Sequence, residues 1–223
     1  FVSHFGKHPN FEAIVRALSR HPLGVYHEEL AAAAHLPAGG QLTTQLRDLK
    51  AAGFMGSAVP FNKDESTARA KYFLSDAYLR FYFAFIEPNL KAMVAGSRAS
   101  LFGEISRSGA YHAWIGRAFE YLCAQHADVI AHLLGFAGIR FTVGPYFSPA
   151  REGREGVQID LVFDRPDRVL TVCEPKYGDG PVGVEVIAEM QRKLRMIEPV
   201  AGRKTIQPVL IARERASQEL IDS

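Results

Sequence analysis

Apolar and polar residues alternate along this chain with two different periods, and the period changes part-way. From Asn10 to Arg20 the apolar residues Phe11, Ile14, Val15 and Leu18 recur at helical spacing behind a capping Asn10, which predicts a first helix. His21-Pro22 breaks it, and Tyr26 to Ala34 predicts a short second helix. After the Pro37 to Gly40 turn, Gln41 to Ala52 carries Leu42, Leu46 and Leu49 on one stripe, a third helix ended by Gly53. Phe54 to Val59 and Lys71 to Leu74 read as strands of a hairpin whose polar tip runs from Asn62 to Ala70. Three helices and a hairpin make a winged helix-turn-helix over residues 1–75.

Asp76 to Ala95 is dense in aromatics (Tyr78, Phe81, Tyr82, Phe83, Phe85) and predicts a buried helix that docks domains, with a base-stacking platform as the alternative. With the Gly- and Ser-rich stretch 96–110 it forms a helical connector over 76–110. Residues 111–223 then give a helix (111–134), strands near 139–147, 157–163 and 169–176, a helix (184–197), a strand (204–212) and a terminal helix. That α-β-β-β-α-β order is an α/β core, so the whole chain is of mixed α+β and α/β class.

At 223 residues and 48% hydrophobic content the chain has material for real cores. Lys and Arg total 26 against 24 Asp and Glu, so any nucleic-acid surface must arise by local clustering. The third helix offers Thr43, Thr44, Gln45, Arg47 and Lys50 to a major groove, while Lys63 and Arg69 of the wing reach phosphates. The alternative is a protein-interaction or spacer module with a solvated cationic face. No apolar run is long enough to span a membrane and no signal-peptide layout opens the chain, so a cytoplasmic location is expected. Cys123 and Cys173 form no CxxC pattern and read as small buried groups. Because the chain begins at Phe1 rather than Met, a fragment of a longer polypeptide is expected.

The candidate chemistry lies in the last two predicted hairpin strands. Strict alternation puts Val157, Ile159, Leu161 and Phe163 on one face and Asp160 on the other, and puts Glu174 and Lys176 together. Paired through a turn near Arg165-Pro166-Asp167, the strands bring one acid each to a common point. Two carboxylates and an ammonium suit phosphodiester hydrolysis: hard oxygens hold Mg²⁺ or Mn²⁺, and the ammonium balances charge growing on the phosphate. Glu120, on the preceding helix, completes the metal set of Asp160, Glu174 and Glu120. Pro175 removes a ladder N–H and requires a local edge or bulge. The plainer alternatives are a Glu174–Lys176 surface ion pair and a solvated Glu120.

Asp160, then Glu174-x-Lys176, with Glu120 upstream and Gln191 in the following helix, resembles the PD-(D/E)xK nuclease superfamily, which implies a restriction-endonuclease-like core. Further motifs, Tyr72-Phe73-Leu74-Ser75-Asp76-Ala77-Tyr78-Leu79-Arg80-Phe81-Tyr82-Phe83, Gly116-Arg117-Ala118-Phe119-Glu120 and Gln158-Ile159-Asp160-Leu161-Val162, resemble the C-terminal region (DUF234) of the archaeal-type ATPase family. The resemblance implies an N-terminal P-loop ATPase domain of the same polypeptide as partner, with ATP used only there; these residues hold no GxxxxGK[ST]. Two function classes follow: a Mg²⁺- or Mn²⁺-dependent nuclease acting on DNA, with Asp160, Glu174, Lys176, Glu120 and Gln191 as its catalytic residues, or a catalytically silent DNA-binding, regulatory or protein-interaction module of that ATPase.

Overall fold

The computed structural model describes residues 9–63, 70–96, 101–148, 150 and 155–222. Two compact units emerge, Phe1–Val59 with Asp64–Ser108, and Pro60–Lys63 with Gly109–Ser223.

The first unit begins with helices α1 (Pro9–Ser19), α2 (His27–Ala33) and α3 (Gly40–Ala51). Strands β1 (Met55–Ala58) and β2 (Lys71–Leu74) pair antiparallel, Met55 opposite Leu74. The helical stripes read from the sequence close on each other: Ile14, Val15, Leu18, Leu30, Leu42, Leu46 and Leu49 are buried with Met55, Tyr72 and Leu74. Gly53, at φ +81°, takes the left-handed turn that ends α3, a conformation that a Cβ would strain.

Asp76 caps α4 (Ala77–Phe81) by accepting from the Leu79 N–H at 2.7 Å. The single helix expected over 76–95 is not continuous. A π-helical turn (Tyr82–Ile86) and a 3-10 turn (Glu87–Asn89) separate α4 from α5 (Leu90–Val94). Pro88 lacks the N–H that would donate back one turn, so the helix changes its winding there. Nor is 76–108 a connector: it clusters with the first unit. Leu79 and Phe83 pack on that unit's core, and Arg16 of α1 holds Glu87 at 2.8 Å. A further helix, α6, spans Leu101–Ser106.

The second unit carries α7 (Gly109–Gln125) and α8 (Ala127–Leu133), expected as one helix but broken at His126, whose ψ of 33° is not helical. Strands β3 (Thr142–Ser148), β4 (Val157–Asp164), β5 (Val169–Lys176) and β6 (Thr205–Ala212) form one sheet in that order. The first three are antiparallel neighbours, and β6 runs parallel to β5 after crossing over through α9 (Glu185–Ala201). A last helix, α10, spans Gln218–Ile221. The α-β-β-β-α-β order is thus observed, with α7 extended by α8.

The expected alternation along β4 fails at its middle. Val157 and Ile159 pack with Val162 against Met190 and Ile197 of α9, whereas Leu161 and Phe163 pack with Cys123, Ala127 and Ala131 of α7 and α8. Opposite β3, Gly144 faces Val162 and Tyr146 faces Ile159, so Asp160 and Leu161 together face Pro145. One extra residue in β4 is a β-bulge, which inverts the facing of all that follows. Pro145 has no N–H to give to a regular ladder, and a bulge is where a strand tolerates this.

Candidate active site

The β4–β5 ladder runs from Asp164↔Leu170 to Leu161↔Cys173 and ends there. One further step of the same register would oppose Asp160 to Glu174, so the two acids are the first residues past the last paired ones. Beyond this point β5 remains paired to β6 alone, through Lys176↔Ala212. Pro175 therefore removes no bond from the β4 side, as its missing N–H requires. The turn that sets this register is Arg165 to Val169, closed by the Arg165 N–H donating to the Val169 carbonyl at 3.1 Å, with Arg168 at φ +66°.

Glu174 is buried, 3% exposed, and its carboxylate is saturated by two ammonium groups. Lys176 Nζ lies 2.9 Å from Oε1, and Lys193 Nζ of α9 lies 2.5 Å from Oε2. Both lysines also meet Glu189, one turn before Lys193, at 2.7 Å from Lys176 and 3.4 Å from Lys193. Two acids and two bases so form a closed alternation. Lys193 is itself buried, and a buried charge of either sign is tolerated only with such partners. Burial opposes the Lys176 charge, yet hydrogen bonds to Glu189 and Glu174 prevail and raise its pKa. Glu189 is held below the ordinary carboxylate range, chiefly by the hydrogen bond from Lys176.

Glu120 lies on α7, which packs against β4 and β5. Its pKa is raised to about 7, first by burial and then by the negative charges of Asp160 and Glu174, which Lys193 and Arg117 partly offset. Asp160 accepts from Gln158 Nε2 at 2.9 Å. Tyr177 borders the cluster, its ring 5.9 Å from Phe119 and 5.0 Å beneath the Arg213 guanidinium.

Of the residues expected from sequence, Lys176 pairs with Glu174 and the charges of Asp160 and Glu174 act on Glu120, while Gln191 is exposed on α9, two residues from the buried Lys193. Helical geometry turns position 191 roughly 200° away from 193, so both cannot face the sheet. Lys193 and Glu189 were not singled out, although a signal existed. Val186, Met190, Ile197 and Ala201 form the buried stripe of α9, and Lys193 sits in that stripe as its single charge.

The oxygen donors suit a hard divalent cation in chemical type. Their arrangement does not suit one as it stands: among the described residues no three His, Cys, Asp or Glu side chains are grouped to hold a metal ion. Both Glu174 oxygens face ammonium groups instead.

No family model matches the chain, and no curated protein matches it significantly. Among solved structures, a mutant of S. aureus MepR aligns at 14% identity over 59% of this chain and 84% of its own, with a TM-score of 0.33. At that TM-score the likeness carries no argument about fold or function.

In the first unit, Thr43, Thr44, Arg47 and Lys50 are exposed on α3, opposite the buried Leu42, Leu46 and Leu49, while Gln45 is half-buried. The Thr43 hydroxyl lies 3.3 Å from His27 Nε2, and Lys50 Nζ donates to Ser57 Oγ at 2.7 Å. Arg47 has no ion pair among the described residues, which leaves its guanidinium available. Lys63 is exposed but groups with the second unit, and Arg69 lies outside the described residues. Both cysteines are buried, their thiols pushed up to about 11 (Cys123) and about 12 (Cys173), chiefly by burial, as inert core groups. No described helix is long and apolar enough to cross a membrane.

Proposed function

We propose that the second unit is a restriction-endonuclease-like module that hydrolyses DNA phosphodiesters with the help of Mg²⁺ or Mn²⁺, and that the first unit, read as a winged helix, presents it to DNA. The observation that supports this reading is the Lys176–Glu174 ion pair just past the end of the β4–β5 ladder, with Glu120 within electrostatic reach of Asp160 and Glu174. A hard cation held by Asp160 and Glu174, once Glu174 is freed of its ammonium partners, would polarise the phosphate and activate a water. The chain's own residues do the rest. The Lys176 ammonium, tethered between two carboxylates, is positioned to balance charge on phosphate oxygens. Asp160 accepts from the neutral amide of Gln158, and the Glu120 carboxyl, its pKa raised to about 7, can take up or release a proton near neutral pH. The motifs shared with the DUF234 tails support a place beside an N-terminal P-loop ATPase domain of the same polypeptide.

A second reading, a silent regulatory or DNA-binding module, is favoured by one observation: the ammonium of Lys193 on Glu174. A plasmid-nicking assay in Mn²⁺ separates the two. The expected result is nicking by the wild type that falls by about 100-fold or more in Glu174→Ala. Equal nicking by both proteins, or none by either, rejects the nuclease reading.

A further inference from the structure

We propose that Lys193 is an internal counter-cation that holds the Glu174 seat against a divalent metal, so that metal enters only when this ammonium leaves. The inference takes the identity of the competing cation from the nuclease reading above, but its test reads metal affinity and does not depend on cleavage.

Three observations support it. Lys193 Nζ is 2.5 Å from Glu174 Oε2, within the distance at which an oxygen would otherwise bind a cation, and both side chains are more than nine-tenths buried. The lysine occupies the stripe of α9 whose other members, Val186, Met190, Ile197 and Ala201, are apolar. A cation in that stripe finds compensation only at its tip, so it is committed to Glu174 and, at 3.4 Å, to Glu189. Lastly, the neutralisation is uneven: Glu174 has two ammonium partners while Asp160 has a neutral amide. A site relaxed around a metal would spread positive charge over both acids. Here the charge sits on one of them, and a dication seeking Glu174 meets the like charge of Lys193 already on it.

The test measures Mn²⁺ binding by the full chain, from the loss of the free-ion paramagnetic resonance signal, together with thermal unfolding in EDTA and in Mn²⁺. Lys193→Gln keeps a hydrogen-bond donor at Glu174 and removes the charge; it should bind Mn²⁺ about tenfold more tightly than wild type or better. Mn²⁺ should also raise its unfolding temperature more than it raises that of the wild type. Lys193→Arg keeps the charge and should remain as weak as the wild type, and adding Glu174→Gln to Lys193→Gln should abolish the gain.

Lys193→Gln binding no tighter than wild type overturns the proposal. So does a wild-type dissociation constant below about 100 µM, a measurement that needs no variant to fold. Tight binding by Lys193→Gln without DNA nicking supports the counter-cation and removes the nuclease reading. Nicking by a wild type that already binds Mn²⁺ tightly does the reverse.

Discussion

At the scale of single residues, the chemistry of the second unit is set by each group's surroundings more than by residue type. Glu120 and Glu189 are both glutamates on helices beside the same strands, yet their acidities move in opposite directions. Glu189 has an ammonium within hydrogen-bonding distance and is pulled down; Glu120 has burial and two negative neighbours and is pushed up to about 7. The consequence for stability has a definite sign. Between an ordinary carboxyl value near 4.5 and about 7, the folded protein binds more protons at Glu120 than the unfolded chain does. Stability contributed by this group is therefore present at low pH and lost as pH rises across that window. Urea midpoints of wild type and Glu120→Gln at pH 5, 6, 7 and 8 check this: the variant should gain relative to wild type from pH 5 to pH 7 and then hold level. A difference that is flat with pH would show that Glu120 ionises as an ordinary surface acid.

At the scale of elements, the bulge in β4 does two jobs. It turns Leu161 and Phe163 toward α7 and α8 while Val157 and Ile159 stay against α9, so that one strand seals two cores. It also falls where Asp160 must leave the ladder. Phe163, fully buried, meets Phe136 and Phe141 edge-on at 5.3 and 5.2 Å and anchors this reversed facing. Phe163→Ala should cost about 3–5 kcal/mol in urea unfolding, whereas Gln158→Ala on the exposed part of the strand should fall within about 0.5 kcal/mol. Similar costs for the two would mean that β4 does not turn over at Asp160. The helices of the first unit follow a simpler rule. Leu42, Leu46 and Leu49 face the core as their spacing demands, and the remaining residues of α3 are left outward by elimination.

For the molecule as a whole, a formal net charge of +2 gives little general attraction for nucleic acid. The proposed DNA binding must then depend on a few cations, among which Arg47 on α3 is exposed and without an ion pair among the described residues. Arg47→Ala should weaken binding to a DNA duplex and lower the slope of log affinity against log salt by about one. Fluorescence anisotropy between 50 and 200 mM salt reads both quantities about equally well. An unchanged slope would remove α3 from the DNA interface. The two units hold separate hydrophobic cores, so loss of affinity by this variant should leave the unfolding of the second unit unaltered.

Sequence by itself determined the kind and order of nearly every element, because helical and strand periods are local and survive whatever packs against them. It also determined the hairpin of β4 and β5, since a tight turn at Arg165 to Val169 sets a register that pairs them up to Leu161 and Cys173. Tertiary structure decided three things that no local period encodes. The facing of β4 changed because Pro145, on a neighbouring strand, could not complete a regular ladder. Residues 76–96 and 101–108 joined the first unit because Leu79 and Phe83 pack on its core and Glu87 found Arg16, far earlier in the chain. Lys193, not Gln191, entered the acid cluster because the crossover helix is rotated by its apolar stripe, and only its docking on the sheet fixes which side chain that stripe delivers to Glu174.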